Sequence, residues 1–91
     1  MNGSALGLIE TRGLIGLINA YDAMLKAANV EVATPIIKLD GGVVSGMIRG
    51  DVSSVRAAVE AGAEAAARCG ELMAAHVIPR PSPAVVEAFV K

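Results

Sequence analysis

The run Ile36-Ile-Lys-Leu-Asp-Gly-Gly-Val-Val44 constrains this chain more than any other, because it sets two neighbouring strands and the turn that joins them. Ile36-Ile37 and Val43-Val44 are β-branched pairs that favour extended backbone, while Asp40-Gly41-Gly42 takes positive φ at no steric cost. A β-hairpin is predicted. Its tip carries one functional group, the Asp40 carboxylate, and otherwise bare main chain, which suits close approach of another molecule.

The rest of the chain arranges itself around that hairpin. Ala5 to Thr11 alternates, with Leu6 and Leu8 on one side and Ile9 on the other, and reads as a first strand in which Gly7 admits a close neighbour. Arg12-Gly13 turns the chain. Leu14, Leu17, Ile18, Tyr21, Met24, Leu25 and Ala28 then recur at helical spacing and predict a core-facing stripe, with Asn19, Asp22, Lys26 and Asn29 on the opposite face. Asp22 and Lys26 stand four apart in the favourable order, so Lys26 reads on this ground as half of a solvated salt bridge.

Val30 to Lys38 reads as a second strand in which Pro35 marks an edge or a bulge. Val43 to Arg49 reads as a third, with Ser45, Met47 and Arg49 alternating against Val44, Gly46 and Ile48. Asp51 is placed to cap a second helix. That helix sets Val52, Val55, Val59, Ala63 and Ala66 on one face and Arg56, Glu60, Glu64 and Arg68 on another, and Gly70 is predicted to stop it in a left-handed conformation. Leu72 to Ile78 makes a fourth strand, closed by Pro79-Arg80-Pro81. Ser82-Pro83 then starts a short helix whose Val85, Val86 and Phe89 have no evident surface to pack against. The order predicts an α+β, ferredoxin-like βαββαβ fold: a four-stranded antiparallel sheet, helices on one side, and a short C-terminal helix.

Composition narrows the function. At 91 residues the chain makes one small domain, yet 54% of its residues are hydrophobic, more apolar material than a monomer of this size buries. The surplus is expected to face other subunits. Tyr21 and Phe89 are the only aromatic residues and the net charge is −1, so neither the stacking platforms nor the basic footprint of nucleic-acid binders is present. The start of the chain lacks a basic segment and reaches Glu10 too soon for a signal peptide, and no run approaches a membrane span, so a soluble cytoplasmic protein is expected. Cys69 has no partner for an internal disulfide.

Catalysis is not expected. His76, the single histidine, lies among Ala75, Val77 and Ile78 and reads as a packing or hydrogen-bonding residue. Cys69 lies at a helix end and not at the electropositive helix start that would activate a thiol. Glu60, Glu64 and Glu71 read as a solvated helix face. The Asp-Gly-Gly turn opens no helix and lacks the Lys-Ser/Thr of a phosphate cradle. No metal site and no cofactor are predicted.

Four stretches together resemble the bacterial microcompartment shell proteins of the single-domain, hexamer-forming type, the BMC domain. They are Ala5-Leu-Gly-Leu-Ile-Glu-Thr-Arg-Gly-Leu-Ile-Gly16, Asp22-Ala-Met-Leu-Lys-Ala-Ala-Asn-Val30, Arg49-Gly-Asp-Val52 and His76-Val-Ile-Pro-Arg-Pro81. The likeness runs from about Ala5 to Pro81, leaving residues 82–91 as a helical tail. It implies a structural subunit that forms a cyclic homohexamer, tiles with neighbouring hexamers and companion shell proteins around metabolic enzymes, and passes small metabolites through a central pore. It also admits binding of an enzyme's targeting helix, and it implies a place in the shell of a cytoplasmic microcompartment. The pore lining maps onto Lys38, Leu39, Asp40, Gly41 and Gly42. The hexamer–hexamer edge maps onto Lys26, Asn29 and Arg80, and for Lys26 this takes precedence over the salt-bridge reading, the two being compatible in different assembly states.

One departure stands out, since many relatives carry Gly-Ser-Gly where this chain has Asp40-Gly41-Gly42. An axis-facing Asp40 would form a carboxylate ring that disfavours anions. An Asp40 turned away would merely shape its turn through an Asx-type bond. The rival function is a small ligand-sensing regulatory module on the same scaffold, with the glycine turn gripping an effector; so short a turn hardly closes over a nucleotide.

Overall fold

The computed structural model describes residues 5–91; Met1 to Ser4, the start of the segment considered above for a signal peptide, lie outside the described residues. Strands β1 (Ala5–Arg12), β2 (Glu31–Val32), β3 (Ile37–Lys38), β4 (Val43–Gly50) and β5 (Glu71–Ile78) alternate with helices α1 (Leu14–Ala27), α2 (Val52–Cys69) and α3 (Pro83–Phe89). One antiparallel sheet runs in the order β2-β4-β1-β5, with β3 following β2 along the same side of β4. This is the predicted architecture. The two long helices cover one face of the sheet, and the whole is a slab of 33 × 27 × 16 Å.

The alternation in the sequence decides which face is which. Ala5 and Ile9 of β1 and Ile48 of β4 point at the long helices, where they join Leu17, Ala20, Met24, Val55, Ala58, Val59 and Ala66 in the main core. Leu6 and Met47 point the other way. They form a second cluster with Ala33, closed by Leu8, Ile78, Val85 and Val90, so α3 packs on the face opposite α1 and α2. The tail helix, which had no partner in the sequence reading, covers its own chain. Ser82 caps it as expected, accepting from the Val85 amide, with Pro83 at its first position.

Three expectations need correction. The predicted core stripe of α1 divides: Leu17 and Met24 are buried, whereas Leu14, Ile18 and Leu25 are about half exposed. Gly70 ends α2 in extended backbone, φ 169°, and not in the left-handed region; its amide still reaches the Ala66 carbonyl. The second strand is interrupted. Two residues more lie between Val32 and Ile37 on this side than between Ile48 and Ser45 on β4, and Pro35 sits in the gap.

That interruption leaves sheet groups to be satisfied elsewhere. Ala33 still donates to the Met47 carbonyl at 2.8 Å, but its own carbonyl accepts from the Lys91 amide at 2.8 Å. The Met47 amide instead donates to Tyr21 Oη at 3.0 Å. Thus a helix side chain and the tail each take one bond that a continuous strand would have made. Gly46 makes room for Tyr21, since a Cβ there would lie 2.5 Å from Oη.

Candidate functional site

The glycine turn is built from the hairpin outward. β3 and β4 pair through Ile37 with Ser45 and Lys38 with Val44, and the Leu39 amide closes the loop on the Val43 carbonyl at 2.8 Å. Asp40–Gly42 then forms one turn of 3-10 helix, with Gly41 at φ 75° and Gly42 at φ 78°. Only glycine holds both values without strain. Lys38, Leu39, Asp40, Gly41 and Gly42 are all exposed, so the five predicted lining residues stand together on one projecting tip.

Two carbonyls tie that tip to the body of the domain. The Gly42 carbonyl accepts from the Gly13 amide at 2.8 Å. The Gly41 carbonyl accepts from Arg12 Nη1 at 3.2 Å, and Arg12 Nε donates to Glu71 Oε2 at 3.2 Å. Among the described residues no hydrogen bond joins the Asp40 carboxylate to its own turn. Arg12 and Glu71 were not singled out from sequence as site residues. Glu71, read as part of a solvated helix face, is in fact the first residue of β5, where it pairs with Arg12 across the sheet. Only the adjacency of Arg12 to the turn residue Gly13 hinted at this; its partner is 59 positions away.

The predicted edge residues lie at the other end. Lys26 occupies the last turn of α1, exposed, with Nζ 2.9 Å from Asp22 Oδ2, so the salt bridge read from the spacing is present in the single chain. α1 begins beside Gly13 at the glycine turn and its 14 residues carry the chain about 20 Å away. Asn29 is exposed just past that helix, and its carbonyl abuts Gly50. Gly50 pairs with Ala5, and the next residue, Leu6, pairs with Ile78, after which comes the exposed Arg80. Asn29 and Arg80 therefore share the sheet end opposite the turn.

Other polar groups serve the fold. Asp51 caps α2, accepting from the Ser54 amide at 2.9 Å and from the Ser53 and Ser54 hydroxyls, and these bonds hold its carboxyl below the ordinary aspartate value. Burial raises the Tyr21 phenol above its usual range, partly offset by the bond from the Met47 amide. His76, read as a packing or hydrogen-bonding residue, is exposed on β5 opposite Leu8 in the single chain. An open cavity of about 230 Å³ lies at the strand break, lined by Val32, Ala33, Thr34, Pro35 and Lys91, away from the turn. No group of three or more His, Cys, Asp or Glu side chains among the described residues is placed to hold a metal ion.

Comparison with known proteins gives the family of the fold. Residues 5–81 match the model of the BMC domain. The chain is 53% identical over 85 residues to the bacterial microcompartment shell protein EutM of Salmonella typhimurium, covering 93% of this chain and 88% of the relative. It is 51% identical over 81 residues to the shell protein PduA of Citrobacter freundii, covering 89% of this chain and 86% of the relative. A crystal structure of a microcompartments protein from Desulfitobacterium hafniense superposes with a TM-score of 0.80 at 31% identity over 97% of this chain, which spans about half (49%) of that longer one. No helix among the described residues is long and apolar enough to cross a membrane. The chain belongs to the BMC-domain family and is a bacterial microcompartment shell protein.

Proposed function

We propose that this chain is a non-catalytic structural tile, which assembles as a cyclic hexamer, joins other hexamers and companion shell proteins edge to edge, and carries a pore on its axis. The observation that carries the reading is a slab only 16 Å thick that leaves nine large apolar side chains substantially exposed among the described residues. Ile15 is 73% exposed, and Leu14, Ile18 and Leu25 share its helix. A stable monomer of this size gains nothing by holding them in water, whereas association covers them. The family's named relatives, shell proteins of microcompartments, support the same conclusion.

In this reading the two ends of the slab have separate work. The tip Lys38–Gly42 converges with its five copies to line the pore, and Lys26, Asn29 and Arg80 meet the adjoining hexamer. Because Asp40 is exposed and makes no bond to its turn among the described residues, its carboxylate is free to face the axis, where six copies disfavour anionic solutes. The enclosing shell sits in the cytoplasm around enzymes, some of them docked through targeting helices.

The test is the mass of the purified protein at low concentration, with electron microscopy of the same sample concentrated. Hexamers that grow into sheets or tubes, and that remain hexamers without growing when Lys26→Ala is introduced, support tile and edge together. A monomer or trimer that never forms sheets overturns the reading, and the turn would then be tested for effector binding. Asp40→Ser in reconstituted shells tests the carboxylate ring: anion flux rises if Asp40 faces the axis and is unchanged if it points away.

A further inference from the structure

We infer that Arg12 is a latch which sets the polar groups presented by the glycine turn, an inference that rests on reading the turn as a pore lining. The peptide unit between Gly41 and Gly42 joins two residues at positive φ, neither with a Cβ, so no side-chain clash resists rotation of that plane. Because a trans peptide holds its C=O and N–H antiparallel, a Gly41 carbonyl drawn toward Arg12 sends the Gly42 N–H away from Arg12. A flipped plane would reverse this and put an acceptor where a donor stood. The Gly13 bond to the Gly42 carbonyl fixes the following peptide unit, not this one. The Arg12 contact is therefore the side-chain restraint on the flexible plane, added to the turn's own i→i+3 closure.

Sheet register explains why Arg12 can do this. As the last residue of β1 it pairs with Val43 on one side and Glu71 on the other, so its guanidinium lies between the foot of the turn and β5. Nη1 donates to the Gly41 carbonyl while Nε donates to Glu71, a division that uses the fixed fork of an arginine. A lysine ammonium has no such fork. Glu71 thereby acts on the turn through Arg12, as a positioning residue behind a positioning residue. The latched state presents a donor and favours solutes with oxygen acceptors; the unlatched state does not.

Charge and latch are separable, because Arg12→Ala removes a positive charge and Glu71→Gln removes a negative one while both loosen the latch. Two measurements follow, each on the assembled protein: amide exchange of the Leu39–Val44 segment, and the ratio of acetate to methylammonium flux through reconstituted shells. Arg12→Ala is expected to speed exchange in that segment about fivefold with the α1 and α2 segments unchanged, and Arg12→Lys to give an intermediate value. The flux ratio is expected to fall in both Arg12→Ala and Glu71→Gln. Unchanged exchange in Arg12→Ala, or flux ratios that move in opposite directions in the two charge variants, overturns the latch. If Arg12→Ala does not fold, Glu71→Gln decides alone: a fall in the ratio supports the latch and a rise overturns it. A wild-type protein that is not hexameric overturns the pore reading, and the exchange arm still tests the latch.

Discussion

Gly46 and Tyr21 are a matched pair, and each has a measurable consequence at the scale of one residue. A Cβ on Gly46 would lie 2.5 Å from Tyr21 Oη, 2.7 Å from its Cζ and 3.0 Å from Leu17 Cδ1. The ring is held by main chain on one side and core on the other, so Gly46→Ala is expected to cost about 1–3 kcal/mol in urea unfolding. Tyr21→Phe keeps the ring but leaves the Met47 amide without its acceptor at a break in the sheet. The expected loss is about 1–2 kcal/mol, read by the same measurement. The alternation that put Gly46 on the core face was legible in sequence; the tyrosine hydroxyl as a substitute for a strand was not.

At the scale of elements, α2 and α3 show how caps and tails are held. Asp51 is exposed, so its contribution lies in the hydrogen bonds that its ionised form accepts from Ser53 and Ser54. Its pKa is lowered in the folded chain, first by the Ser54 amide, so the unfolded state binds the proton more readily. The stabilisation is present above the ordinary aspartate value and is lost as pH falls through the lowered one. Asp51→Ala should therefore lower the Tm at pH 7, with the gap to wild type closing as the solution is acidified through that range. For α3, Val85 and Val90 close the cluster of Leu6, Ala33 and Met47. Val85→Ala is expected to cost about 1 kcal/mol, because the side chain is only partly enclosed, and to leave the oligomeric state unchanged.

For the whole molecule the decisive quantity is apolar surface. The main core takes Leu17, Met24 and their neighbours, and what α1 leaves outside, Ile15 and Ile18 above all, belongs in the tile reading to contacts between chains. Ile18→Asp is expected to shift the native mass from hexamer to monomer while the Tm of the isolated domain changes little, since that side chain is half exposed already. Lys26→Ala should do the reverse, keeping the hexamer and abolishing sheets. Observing both separates contacts within a tile from contacts between tiles.

Local pattern determined much of this protein. The β-branched pairs around Asp40-Gly41-Gly42, the Asp51 and Ser82 caps and the period-2 alternation of β1 and β4 each act over a few residues, so they could be read along the chain. The four stretches that resemble the BMC domain likewise named the family before any contact was known. Tertiary structure alone decided the rest. Which side of α1 is core depends on where the sheet lies, so Leu14, Ile18 and Leu25 could not be told from Leu17 and Met24 by periodicity. The break in the second strand is held by partners distant in sequence, Tyr21 taking the Met47 amide of β4 and Lys91 the Ala33 carbonyl beside it. The Arg12–Glu71 brace joins residues that only the pairing of β1 with β5 brings together, because hydrogen bonds are short-ranged and the chain between their partners is long.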